Sequence, residues 1–161
     1  MSKEQTMVSN NVTRLLDNRK INYQTHDLPR EKLGAGEVAR LLHVSPEIVF
    51  KSIVIIRRVP GKPILAVVPG DKEVDLKALA RAVGEKKVSP ATQREAEDLT
   101  RLEAGGISPL ALVNRGFEIV IHQSALEYAF IHISGGEQGL NIQLAARDLI
   151  QLTRAKTAPI C

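Results

Sequence analysis

Apolar residues recur along the chain with two different periods, and the switches between them divide it into short elements. Val8, Val12, Leu15 and Leu16 fall on one face at helical spacing, which predicts a first helix ending near Asn18, followed by a short strand over Ile21, Asn22 and Tyr23. Val38, Leu41 and Leu42 mark a second helix. Ser45-Pro46-Glu47 reads as an N-cap with proline at the first helical position, so a single turn should lead into the next strand. That strand, Phe50 to Ile56, is nearly all apolar and is therefore expected to be central in a sheet. Pro60-Gly61 makes a turn, Ile64 to Val68 returns as the hairpin partner, and Pro69-Gly70-Asp71 ends it.

Asp75 should cap a helix that buries Leu76, Leu79, Ala80 and Val83 and stops at Gly84. Ser89-Pro90 is expected to open a polar surface helix running to about Leu99. After a turn over residues 105–109 come a strand from Phe117 to Ile121, a capping-box spacing at Ser124-Ala125-Leu126-Glu127, and a strand from Tyr128 to Ile133. A short strand from Leu140 to Gln143 and a closing helix from Leu144 to Leu152 complete the pattern. Helices and strands are interspersed irregularly, with hairpins as well as crossovers, which points to one α+β domain over residues 1–161 with a mixed sheet.

Composition narrows the chemistry. With 161 residues the chain can bury a core without disulfides or metals, and 3% aromatic content with no Trp argues against a platform that stacks bases. The net charge of +4 permits a polyanionic partner without requiring one. Arg57, Arg58, Lys86 and Lys87 are the clustered cations best placed for phosphate contacts. Cys161 is the single cysteine, so neither a disulfide nor a structural zinc site is expected, and no metal or other cofactor is called for. The polar N-terminus and the absence of an apolar run of about 18 residues suggest a cytoplasmic protein without a membrane partner.

No Gly-x-Ser-x-Gly elbow, Cys-His pair or metal-ligand spacing supplies a side-chain nucleophile. Backbone chemistry stands out instead. In Glu103-Ala104-Gly105-Gly106-Ile107-Ser108-Pro109-Leu110, two glycines and a rigid proline build an exposed turn of N–H groups able to hold a carbonyl or oxyanion. Upstream, Val49-Phe50-Lys51-Ser52 places a lysine at the start of an apolar strand. Downstream, Ile131 to Leu140 runs a strand into Ser134-Gly135-Gly136.

That order resembles the YbaK/EbsC family of aminoacyl-tRNA deacylases, whose fold is shared by the editing insertion of prolyl-tRNA synthetases; the resemblance spans roughly residues 20–157. It implies a central mixed sheet, partly barrel-like and flanked by helices. It also implies a catalytic loop at Gly105, Gly106, Ile107, Ser108 and Pro109, whose amides face the aminoacyl carbonyl, and a cation at Lys51. Tyr23, His26, Ser134, Gly135, Gly136 and Asn141 become candidate substrate contacts. Asn141 departs from the aspartate of the cysteine-specific members, and an amide cannot attract an α-ammonium as a carboxylate can. The implied function is trans-editing of a wrong small amino acid on tRNA, with Cys-tRNA(Pro) first and Ala-tRNA(Pro) as alternative. The implied partners are the tRNA acceptor end and prolyl-tRNA synthetase. A non-catalytic module of the same fold that binds tRNA or a nucleotide is the other reading.

Overall fold

The computed structural model describes residues 9–58 and 61–161, so Val8 and Pro60 lie outside the described residues. Asn10 caps α1 (Asn11–Asn18) through a reciprocal box: the Thr13 N–H donates to the Asn10 side chain at 2.9 Å, and the Asn10 N–H donates to the Thr13 hydroxyl at 3.0 Å. The first strand, β1 (Tyr23–Asp27), begins two residues later than the apolar pattern suggested, which brings His26 onto it. α2 (Ala35–Leu42) ends at His43 in the left-handed region, and the expected single turn, Pro46–Ile48, is a 3-10 helix capped by Ser45.

β2 (Phe50–Arg57) and β3 (Ile64–Pro69) form the antiparallel hairpin, and all six residues of β3 are buried. Asp75 caps α3 (Leu76–Val83) and Gly84 ends it at φ 75°. Ser89-Pro90 does not open a helix: β4 (Val88–Pro90) is a strand on the edge of β2, where proline is tolerated. The helix α4 (Gln93–Thr100) starts three residues later because Thr92 and Glu95 form a capping box that satisfies two amides at once.

β5 (Glu118–His122) is followed by a 3-10 segment, Gln123–Glu127, that carries no side-chain cap, so the Ser124 spacing is not used as a capping box. β6 spans Ile131–Ser134, three residues later than its expected start at Tyr128, and β7 spans Leu140–Leu144. Leu144 thus belongs to a strand. The closing helix α5 spans Ala146–Thr153, and a last strand, β8 (Lys156–Ala158), was not foreseen.

The strands make two sheets. A mixed sheet has the order β4-β2-β3-β5-β8, antiparallel at β2 and parallel from β3 to β8; an antiparallel sheet has the order β1-β7-β6. Alternation along β3 sends Leu65 and Val67 into a large core between the sheets and Ile64, Ala66 and Val68 into a second core under α3. A single parallel bridge, Val49 to His132, joins the sheets just before β2 begins. Among the described residues no helix is long and apolar enough to cross a membrane.

Candidate functional site

A cavity of about 350 Å³ opens where the two sheets part along β2. At one end β2 is bridged to β6 at Val49; at the other it pairs with β4 from Ile55 onward. Between them the edge is uncovered. The Val54 carbonyl accepts the Ala91 N–H at 2.9 Å, and because edge groups alternate every second residue, Ser52 directs its backbone amide and carbonyl to the same edge, beyond the end of β4. Ser52, Lys51 and Ile53 line the cavity there.

Three irregular segments close the rest of the wall: residues 28–34, residues 104–107 and residues 134–141. Glycine lets them pack on one another. A Cβ on Gly106 would stand 2.9 Å from the Glu137 Cα, one on Gly139 would stand 3.0 Å from the Leu28 carbonyl oxygen, and one on Gly105 would stand 3.2 Å from the Lys32 Cα. Hydrogen bonds then fix the arrangement. Gln138 Nε2 donates to the Ala104 carbonyl at 2.7 Å, the Ser134 hydroxyl to the Gly105 carbonyl at 3.3 Å, the Ala104 N–H to Glu97 Oε2 at 2.8 Å, and the Leu28 N–H to the Gly139 carbonyl at 2.9 Å.

Within the turn the amides divide. The Gly106 N–H donates to the Glu103 carbonyl at 2.8 Å, closing the turn, whereas the Gly105 and Ile107 N–H groups have no acceptor among the described residues. Gly105 and Ile107 are also the two turn residues of the expected five that line the cavity. Gly106, Ser108 and Pro109 are buried behind them; the Ser108 hydroxyl accepts the Leu110 N–H at 3.2 Å and starts the 3-10 turn Pro109–Leu112. The arrangement sets two N–H donors without a protein acceptor on residues of the cavity wall, the kind of group that stabilises a developing oxyanion.

Lys51 lies on the cavity wall with its side chain 23% exposed, its ammonium 3.3 Å from the carboxylate of Glu73, which is 92% exposed. A pair with so exposed a partner holds the ammonium weakly, worth about 0–1 kcal/mol, and leaves it free to turn to a ligand. Ser134 and Asn141 also line the cavity, paired across β6 and β7. Gly135 and Gly136 form the turn behind them, packed on the side chains of Leu140 and Val12.

Other expected contacts lie outside the cavity lining. The Tyr23 hydroxyl donates to Asp17 Oδ1 at 2.8 Å, and burial together with that carboxylate pushes its pKa up to about 12. His26 pairs through Nε2 with Gln143 Oε1 at 2.9 Å, and its ring lies 5.4 Å from that of His132, tilted by 48°. Arg57 is 10% exposed and held by Glu85 at 2.8 Å and by Glu118, so its charge is already matched within the fold. Arg58, Lys86 and Lys87 are exposed.

The reading from residue types missed the 28–34 segment and the start of α4, where Lys32 Nζ donates to Gln93 Oε1 at 2.7 Å across the cavity mouth. Nothing in the local pattern of Leu28 to Gly34 announces a contact with a turn more than seventy residues later. Among the described residues no group of three or more His, Cys, Asp or Glu side chains is placed to hold a metal ion.

EbsC of Enterococcus faecalis, named as a proposed Cys-tRNA(Pro)/Cys-tRNA(Cys) deacylase, is 32% identical over 162 residues, covering 99% of this chain and 98% of that protein. A proline–tRNA ligase of Thermodesulfovibrio yellowstonii is 26% identical over 137 residues, which cover 81% of this chain and 24% of the ligase. Among solved structures, a hypothetical protein (TM-score 0.86, 24% identity, 94% of this chain and 99% of that one) and a protein proposed as a trans-editing enzyme for prolyl tRNA synthetase (TM-score 0.77, 24% identity, 95% and 98%) share the fold. The model of the aminoacyl-tRNA editing domain matches residues 30–152, which hold both glycine turns and the lysine strand, and the chain belongs to that family.

Proposed function

We propose that the whole chain, residues 1–161, is a freestanding trans-editing deacylase that cleaves the ester of a small, wrongly attached amino acid on tRNA, with Cys-tRNA(Pro) as first substrate and Ala-tRNA(Pro) as second. The observation that carries this reading is that Gly105 and Ile107 line the cavity and that their N–H groups have no acceptor among the described residues. A carbonyl oxygen seated on them gains charge as the ester is attacked, and each such donor is worth about 3 kcal/mol in the transition state. Water, or the thiol of a cysteinyl ester, attacks the carbonyl carbon. The ester C–O bond breaks and the proton lost by the nucleophile ends on the ribose oxygen. Lys51 supplies a cation for the ribose or the terminal phosphate, and Ser52 adds backbone groups at the uncovered edge of β2.

Volume and polarity bear on the substrate. The cavity lies at the small end of the range of ligand clefts, about 300–1,000 Å³, so it suits a terminal aminoacyl nucleoside rather than a larger segment of nucleic acid. A small pocket excludes larger side chains by volume but separates two small ones by only about 1–3 kcal/mol, so tRNA selection rests on exposed cations such as Arg58, Lys86 and Lys87 or on prolyl-tRNA synthetase as partner. Such a role belongs in the cytoplasm.

The test is single-turnover deacylation of Cys-tRNA(Pro) and Ala-tRNA(Pro), with Lys51→Ala and Gly105→Ala as controls. Accelerated loss of one ester by the wild type, and a drop of about 100-fold or more in both variants, is expected. Hydrolysis of neither ester above the buffer rate overturns the reading.

A further inference from the structure

Two buried residues of the antiparallel sheet set the polarity of the cavity wall. His132 on β6 is 2% exposed and Asn141 on β7 is 4% exposed, and His132 Nδ1 lies 2.8 Å from Asn141 Oδ1. An amide oxygen only accepts, so Nδ1 carries the ring proton and donates it. Burial, and the neighbouring His26, lower the His132 pKa below the usual histidine value, and the ring is neutral at pH 7.

With its oxygen taken, Asn141 has one polar group left, the amide NH2. Among the described residues no group accepts from it. It is not sealed in either: among the described residues the only enclosed side-chain polar atom without a partner is Ser124 Oγ, on the segment after β5. Asn141 lines the cavity, which makes its amide NH2 the side-chain donor on this wall left for a ligand. A buried donor that a ligand leaves unpaired weakens binding.

Position decides which part of a ligand meets these donors. Asn141 stands directly across from Ser134, and such paired side chains are about 5 Å apart. The Ser134 hydroxyl in turn donates to the Gly105 carbonyl at 3.3 Å. A carbonyl held at the Gly105 amide therefore brings the substituents of the adjacent α-carbon within reach of Asn141. The charged and titratable groups around this point are His26 from β1, Lys51 from β2 with the exposed Glu73 carboxylate 3.3 Å from its ammonium, and Glu31 and Lys32 from the 28–34 segment, the last two exposed at the rim. Phe130 meets the His132 ring edge-on at 6.1 Å and adds no charge. The buried part of the wall thus offers donors and a cation, with no carboxylate.

We propose that Asn141, held in one orientation by His132, selects the α-substituent of the substrate and requires a hydrogen-bond acceptor there, so that the amine of the aminoacyl ester binds as uncharged NH2 rather than as ammonium. The inference rests on the reading of the cavity as an acyl-ester site. His132 is a positioning residue in it. Because α-amino groups titrate at roughly pH 7.7–8.0, the form that binds is scarce at pH 6 and dominant at pH 9.

Two hydrolysis-resistant probes test this by calorimetry on the full chain: adenosine carrying alanine through a 3′-amide, and the same compound with lactic acid in place of alanine, whose hydroxyl is uncharged at both pH values. At pH 6 the wild type should bind the lactoyl probe about 10-fold more tightly than the alanyl probe, and the gap should close at pH 9. Asn141→Asp should invert the preference at pH 6. His132→Phe should bring the ratio towards one, whereas a merely structural role for His132 would weaken both probes equally and leave the ratio where it was. Tighter alanyl binding by the wild type at pH 6, or an unchanged ratio in Asn141→Asp, overturns the inference while leaving the acyl-ester site intact. If neither probe binds the wild type, the acyl-ester reading falls and this inference falls with it.

Discussion

Gly106 lines no part of the cavity, yet an added methyl group there should slow catalysis more than it harms the fold. Its backbone conformation is open to any residue, so the cost of Gly106→Ala is purely steric. The new Cβ would stand 2.9 Å from the Glu137 Cα, 3.1 Å from the Glu137 carbonyl carbon and 3.2 Å from the Gln138 nitrogen, all main-chain atoms that cannot swing aside. Ordinary contact begins near 3.4 Å, so the two turns must separate by about 0.5 Å. Overpacking of this kind costs about 1–3 kcal/mol, and at about 2–4 °C per kcal/mol for a chain of this size the Tm should fall by roughly 2–12 °C.

The same shift carries the flanking amides of Gly105 and Ile107. A misplacement of about 1 Å can cost about 100-fold in rate, so half of that should cost about 10-fold in single-turnover deacylation at 25 °C, where the variant is still folded. Gly84→Ala is the matched control: it strains a residue at φ 75° with open space around it, so it should lower Tm to a similar degree and leave the rate alone. A Gly106→Ala protein with the lowered Tm and a rate within about twofold of wild type would refute the claim that packing against Glu137 positions the two donors.

Three further outcomes follow from single contacts. Arg57→Ala should destabilise the protein by about 1–3 kcal/mol in urea titrations, because it leaves the part-buried Glu85 carboxylate without its cation and Glu118 with Lys156 at 4.0 Å, and should leave tRNA affinity unchanged; Arg58→Ala or Lys87→Ala should do the reverse, each lowering the salt slope of tRNA binding by about one. Tyr23 has a folded pKa raised to about 12 from 10.0, so the unfolded chain loses its phenolic proton first. Stability should therefore be intact below pH 10 and fall between pH 10 and 12, and Tyr23→Phe should flatten that fall in a pH series of urea midpoints. His122 Nδ1 accepts the Ile160 N–H at 3.1 Å, and burial lowers its pKa, so the contact should survive at pH 7 and be lost only in acid, below the ordinary histidine range; amide exchange of Ile160 should accelerate there and not in neutral buffer.

Local chemistry was readable where a few neighbouring residues decide the outcome. Ser45 before Pro46 and Asp75 with Gly84 bound their turns as expected, because a cap satisfies amides within three residues of itself. Ser89-Pro90 shows the limit of that logic. Serine before proline suits a helix start, but the same pair suits an edge strand, and Thr92 with Glu95 makes the stronger cap. The partition of strands into two sheets was not visible, since it depends on pairings such as Tyr23 with Leu144 and on the lone bridge from Val49 to His132. Likewise, Arg57 looked like a free surface cation because its partner Glu118 lies 61 residues away.

The candidate site follows the same division. Its glycine turns, lysine and Asn141 announce themselves by residue type, whereas the 28–34 segment reaches it through tertiary contacts such as those of Gly105, Gly139 and Gln93. Those contacts also explain why both turns need glycine. Each turn is also held by the other, with Gln138 on the Ala104 carbonyl and Ser134 on the Gly105 carbonyl. Close approach of main chain to main chain removes the room for side chains at Gly106 and Gly139, and the hydrogen bonds use up the carbonyls of the 104–105 peptide units. What remains are the N–H groups of Gly105 and Ile107, which can neither rotate away nor find a partner among the described residues. Donors fixed before the ligand arrives need no reorganisation as charge develops on an ester oxygen, which is why a site with no side-chain nucleophile can still be fitted to acyl transfer.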